Sequence, residues 1–204
     1  MPTRAAGELA TWKDRFTWGE RSPDELVDDL AHASTWAGKR APLTRLYWAF
    51  FHRVPDTGGM AFWTGQLTGG KTLAQIAKAF SGSSEFQNTY GSLSNQAFVT
   101  LIYQNIFQRN PDPGGLAYWT GRLDAKAKTR GDVMVAFSES SEGKRVLAPQ
   151  VDTVLLFLGL WAKMPTQNEL LEGADLLQAG EPPERIAWYA RHYAPYASRV
   201  TVGP

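Results

Sequence analysis

Residues Gly65-Gln66-Leu67-Thr68-Gly69-Gly70-Lys71-Thr72 match the phosphate-loop pattern G-x-x-x-x-G-K-[ST] at every fixed position. In a nucleotide-binding enzyme this spacing puts the lysine on the phosphates and the hydroxyl on magnesium, so Lys71 and Thr72 would carry the chemistry. The pattern requires a buried strand before it, and Ala61-Phe62-Trp63-Thr64 reads as helix instead. A glycine C-cap, a short turn and a threonine N-cap explain the same letters. A related later segment, Gly121 to Thr129, reads G-R-L-D-A-K-A-K-T and lacks the second glycine. A nucleotide-binding enzyme therefore stands as an alternative and not as the leading reading.

Other chemistry-bearing residues are scattered. His32, His52 and His192 fall in no metal-binding spacing, so no metal and no cofactor is expected. His52 sits beside Arg53 at a helix end, where a cation faces the negative end of the helix dipole. Asp56 and Asp112 each lie in Pro-Asp-x-Gly-Gly, which offers one carboxylate where calcium needs several oxygens. N-capping is the better account of both. Glu139, Glu142, Asp24, Asp28 and Asp29 show no acid/base pairing, and a cell-wall glycan hydrolase would rest on such carboxylates alone. The chain has no cysteine, and Ser-His-Asp and G-x-S-x-G arrangements are absent. No catalytic residue is identified, and the chain is read as non-enzymatic.

The elements that hold these residues repeat. Residues 53–67 and 109–123 are identical at ten of fifteen positions, sharing Arg, Pro, Asp, Gly-Gly, Ala, Trp-Thr-Gly and Leu at a spacing of 56. Downstream, Ala79-Phe80-Ser81 and Ser83-Ser84-Glu85 match Ala136-Phe137-Ser138 and Ser140-Ser141-Glu142. Leu43, Leu46, Tyr47, Phe50 and Val54 fall on one helical face, as do Phe98, Leu101, Ile102 and Ile106. Asp56 and Asp112 start a second helix, with Pro113 where its missing N–H costs nothing. Thr72 with Gln75 forms a capping box for a third through Leu73, Ile76, Ala77 and Phe80. The pattern predicts an all-α array of three-helix units of about 56 residues, with degenerate terminal units. Its expected divisions are a partial unit at 1–40, unit 1 at 41–95, unit 2 at 96–149, a degenerate unit 3 at 150–196 and a tail at 197–204. Unit 3 keeps Leu156-Phe157 and Pro165 but departs from the motif at Thr166 and Gly173.

Eight tryptophans in 204 residues divide by recurrence. Trp63 and Trp119 recur with Tyr47 and Tyr103 and are expected to pack helix to helix; Trp12 fits the same slot. Trp36 and Trp161 stand where other copies have Phe and are expected in the core. Trp48 falls off the Leu46/Phe50 stripe, and Trp18 and Trp188 have no aromatic counterpart. Trp18, Trp48 and Trp188 are therefore the candidate exposed rings, suited to stacking on a sugar or anchoring an interface.

The phrase R-x-P-D-x-x-G-x-x-[YF]-W, followed by A-F-S-x-S-S-E, resembles the bacterial family called domain of unknown function 4214, and more distantly the linker domains of phycobilisomes. The matching residues are Arg53, Pro55, Asp56, Gly59, Phe62 and Trp63, and Arg109, Pro111, Asp112, Gly115, Tyr118 and Trp119. The resemblance implies a helical module in exported or surface-associated bacterial proteins, with an extracellular or envelope location and no defined catalytic residues. All twelve residues are read as fold-specifying. Charge adds exclusions. Twenty-one Lys+Arg against 20 Asp+Glu leave a net +1, which argues against nucleic acid as a partner. The longest apolar run, Val154 to Ala162, is far short of the ~20 residues that span a bilayer. Met1-Pro2-Thr3 does not begin a visible signal peptide. The expectation is a non-catalytic, surface-associated binding or assembly module for a surface polysaccharide or a partner protein, in an oligomeric state the sequence leaves open.

Overall fold

The structure, a computed structural model, describes residues 34–183 and 185–186. Trp12, Trp18, Trp188, His32, His192, most of the partial N-terminal unit and the 197–204 tail lie outside the described residues. Ten helices are described: α1 (Ser34–Phe51), α2 (Thr57–Thr68), α3 (Leu73–Ser81), α4 (Ser84–Tyr90), α5 (Asn95–Phe107), α6 (Pro113–Asp124), α7 (Arg130–Ser138), α8 (Ser141–Val146), α9 (Ala148–Trp161) and α10 (Gln167–Gln178). No strand occurs among the described residues, so the chain is all-α there. Lys39–Val151 forms one compact unit, and the described residues from Asp152 onward belong to a second.

Lys39–Val151 contains two copies of four helices, not three. The extra helix comes from Ser-Ser-Glu. The Ser83 hydroxyl donates to the Phe80 carbonyl at 2.7 Å and accepts the Phe86 amide at 3.2 Å. Ser140 does the same with Phe137 and Gly143, at 2.8 and 2.9 Å. One serine thus closes α3 or α7 and opens the short helix that follows. Asp56 and Asp112 accept the Gly59 and Gly115 amides at 2.7 and 2.8 Å, so both are the expected N-caps. Thr72 with Gln75, Thr129 with Asp132 and Thr166 with Glu169 form capping boxes.

Backbone turns repeat where side chains do not. His52, Gln108 and Ala162 end the long helices at φ 51°, 56° and 52°, a left-handed conformation that glycine normally supplies. Gly70, Lys126 and Gly180 end the second helices at φ 95°, 55° and 81°. Each set recurs after 56 and then 54 residues, and both sets include the third, eroded unit. Lys39 Nζ reaches Thr68 Oγ1 at 3.1 Å, and Asn95 Nδ2 reaches Asp124 Oδ1 at 2.7 Å, tying each long helix to the end of its neighbour.

The core is aromatic. Phe80 meets Tyr47, Phe50, Phe51 and Trp63 at centroid distances of 4.7 to 5.3 Å, and Phe137 meets Tyr103, Phe107 and Trp119 at 4.9 to 5.3 Å. The equivalent helices α3 and α7 pack closely on each other, because a Cβ on Gly131 would stand 2.8 Å from Ser81 Oγ and 3.2 Å from the Ala77 carbonyl. Two arginines without counterparts brace the unit. Arg45, 9% exposed, forms two hydrogen bonds to Glu139 at 2.8 and 2.9 Å. Arg130 donates to the Tyr90 and Leu93 carbonyls and lies 4.8 Å from the Phe98 ring, fixing the passage from copy to copy. In the second unit Leu156, Phe157 and Ile186 make a small core with Trp161, Leu176 and Leu177 packed on it.

Candidate functional site

The repeated motif builds one constellation twice. Arg53 grips Glu85 with two hydrogen bonds of 2.9 and 2.8 Å, and Arg109 grips Glu142 at 2.8 and 2.9 Å. Each guanidinium also lies over two rings, Arg53 over Tyr47 and Phe51 at 5.9 and 5.4 Å, and Arg109 over Tyr103 and Phe107 at 5.1 and 5.5 Å. Hydrogen bonding to the arginine holds both Glu85 and Glu142 below the usual carboxylate range. The Asp112 carboxyl is lowered chiefly by the Gly115 amide. Tyr47 and Tyr103 are pushed up by burial. The glycine pair belongs to the same packing: a Cβ on Gly115 would stand 2.5 Å from the Tyr103 hydroxyl. Arg, Asp, Gly, Tyr and Trp are thus committed to one another, leaving no free acid/base pair in the motif.

On the outside of this constellation sits an aromatic step. Phe62 and Tyr118 occupy equivalent positions of α2 and α6 and are 57% and 53% exposed. Each stands edge-on to its half-buried neighbour, Trp63 at 4.9 Å or Trp119 at 5.0 Å. Among the described residues the other large exposed hydrophobic is Leu171. Sequence reasoning placed Phe62 and Tyr118 among the fold-specifying residues and sought exposed rings only among the tryptophans that do not recur. Their position beside a Trp on a helix with few other large apolar residues was the available signal.

Trp48 corrects the expectation of an exposed ring: it is 8% exposed and lies 5.6 Å from His52. The stripe argument assumed that α1 has a solvent face, yet every residue from Leu43 to Phe50 is buried, including Thr44 and Arg45. A helix buried all round has no outer face for an off-stripe ring. His52 is corrected as well, since burial pushes its imidazole down toward the neutral form. Trp161 lies 4.9 Å from Phe157 against the small core, whereas the side chain of Trp36 is outside the described residues, with Trp18 and Trp188. Glu139 and Glu142 are not loose carboxylates: Glu139 pairs with Arg45 and also meets Lys144 at 3.5 Å, and Glu142 pairs with Arg109.

The phosphate-loop letters form a different structure. Gly69 N donates to Gly65 O at 2.8 Å, Gly70 N to Leu67 O at 3.2 Å and Lys71 N to Gln66 O at 3.0 Å. Thr72 N donates to Gln75 Oε1 at 2.8 Å. All four amides that a phosphate cradle would aim at its ligand are taken up inside the turn. No group of His, Asp and Glu among the described residues is arranged to hold a metal. No described helix is long and apolar enough to cross a membrane.

A family model described as Domain of unknown function (DUF4214) matches residues 42–89 and, again, residues 77–147. These two matches together cover both copies of the constellation. No curated protein matches the chain. No solved structure matches it either.

Proposed function

From the premise that the chain belongs to the DUF4214 family, we propose that it is a non-catalytic binding module that takes up a surface polysaccharide on its repeated aromatic step. The observation that carries this reading is the exposure of Phe62 and Tyr118 at equivalent positions, each backed edge-on by a Trp. An exposed ring held in place loses little side-chain freedom on binding, and its face suits the C–H face of a sugar. Two such rings in tandem copies favour an extended, repeating ligand, whose second contact follows the first at raised effective concentration. The exported or envelope setting follows from the resemblance of the motif to surface-associated proteins. A partner protein is the competing occupant.

The test is a panel of immobilised polysaccharides probed with the full chain and with Phe62→Ser/Tyr118→Ser. Both side chains are exposed, so the double variant keeps its fold, checked by circular dichroism. The expected outcome is retention of the wild type on at least one glycan and loss of retention by the variant. Equal retention of both proteins, or no retention of either, overturns the reading.

A further inference from the structure

The two aromatic steps are equivalent in geometry and unlike in charge. One turn beyond Phe62 stands Gln66, and the left-handed turn residue that follows is Gly70. One turn beyond Tyr118 stands Arg122, whose guanidinium lies 5.2 Å from the Tyr118 centroid, and the left-handed residue is Lys126. Two residues later comes Lys128. The turn is fixed by its backbone: Ala127 and Lys128 both donate to the Arg122 carbonyl, at 3.0 and 3.2 Å, and Lys126 donates to the Leu123 carbonyl at 3.0 Å. Arg122, Lys126 and Lys128 are all exposed, so three cationic residues follow one another at the end of α6, the first of them against the exposed ring. Two acids stand nearby: Asp124 accepts from Asn95, and Asp132, held low chiefly by the Thr129 amide and hydroxyl, also feels the Lys128 charge, so the turn keeps three cations against two carboxylates. In the third unit the position of Tyr118 is held by exposed Glu172, and that of Lys126 by Gly180.

We propose that the α6 step is an anion-selective saccharide subsite, in which Tyr118 stacks on a sugar ring while Arg122, Lys126 and Lys128 engage carboxylates along an acidic polysaccharide. The proposal rests on the binding reading above and deepens it by naming the ligand as a polyanionic glycan. Guanidinium and ammonium groups on one short turn recognise closely spaced carboxylates, and the ring adds a contact that a bare polyanion does not use. The α2 step, with Gln66 and Gly70 in their place, takes a neutral stretch of chain equally well.

The experiment measures affinity of the full chain for three probes: polygalacturonate, neutral dextran and poly-glutamate. The variants are Arg122→Gln/Lys126→Gln/Lys128→Gln and, separately, Tyr118→Ser. The expected result is that polygalacturonate binds tightest, weakens as salt rises, and binds the triple variant about tenfold more weakly. Dextran binding is expected to be unchanged by the triple variant, and Tyr118→Ser is expected to weaken polygalacturonate but not poly-glutamate. Polygalacturonate binding that the triple variant keeps, or that dextran equals, overturns the anionic subsite while leaving the polysaccharide reading in place. Poly-glutamate binding equal to polygalacturonate and indifferent to Tyr118 overturns it in favour of an acidic protein partner. Binding of none of the probes overturns the anionic subsite, while the polysaccharide panel decides the broader reading.

Discussion

Where the first two copies hold Trp63 and Trp119, the third repeat has Gly173, and the Thr153 methyl lies 2.6 Å from where a Cβ would stand. At this point α10 lies close against α9 and leaves no room for a side chain. Much else survives. Phe157 and Trp161 pair as Tyr47 and Phe51 do, at 4.9 against 5.5 Å, and Lys163 lies 5.4 Å over the Phe157 ring as Arg53 lies over Tyr47. The left-handed turns at Ala162 and Gly180 survive too. The helix-turn-helix can therefore be built without the Trp and without an exposed aromatic. What the third repeat has lost is the aromatic step, which is the part assigned here to binding.

The largest effect that tests this contrast is Trp119→Ala. Removing the ring that meets Phe137 is expected to cost about 3 kcal/mol of unfolding free energy by urea titration. Gly173→Ala, although alanine is the better helix former, is expected to destabilise by about 1–2 kcal/mol through the Thr153 contact. A stabilising Gly173→Ala would mean that α9 and α10 are not in close contact.

A finer comparison lies between the two good copies. A Cβ on Gly115 would meet the Tyr103 hydroxyl at 2.5 Å, whereas one on Gly59 meets Tyr47 at 3.5 Å and Pro55 Cβ at 3.3 Å. Gly115→Ala is expected to cost about 1–2 kcal/mol, and Gly59→Ala clearly less. Equal losses in thermal melts would show that the copies are packed alike at this point.

The smallest effect is the acid dependence of the repeated ion pairs. Glu85 and Glu142 have folded-state values below their unfolded ones, so their contribution is complete above about pH 4.3 and lost as pH falls through the folded value. Because Glu85 and Glu142 keep 45% and 35% of their side-chain surface exposed, each pair is worth under about 1 kcal/mol. Arg53→Gln and Arg109→Gln should lower stability at neutral pH and converge on the wild type in acid. A difference that persists at low pH would assign the arginines' role to the rings beneath them.

Local chemistry was readable from the letters. Asp56, Asp112, Pro113 and the Thr72–Gln75 box act within one turn of themselves, so sequence spacing decides them. The fourth helix escaped because α4 and α8 are only 7 and 6 residues long and carry no periodic stripe; a single serine defines their start. Trp48 was misjudged, and Phe62 passed over as an exposed ring, for a shared reason. Periodicity reports which residues share a face, but burial depends on what lies across from that face, and recurrence marks a conserved position without saying whether it points in or out.

The Arg45–Glu139 pair joins residues 94 apart in the chain, from α1 to the residue that ends α7. A linear solenoid grows repeat by repeat, each unit leaning only on its neighbour. Here a deeply placed cation of the first copy takes its carboxylate from the second. A bond of such sequence separation couples the two copies, and neither copy alone can make it. The smallest piece of this chain that can satisfy Arg45 is therefore both copies together, twice the length of the repeat.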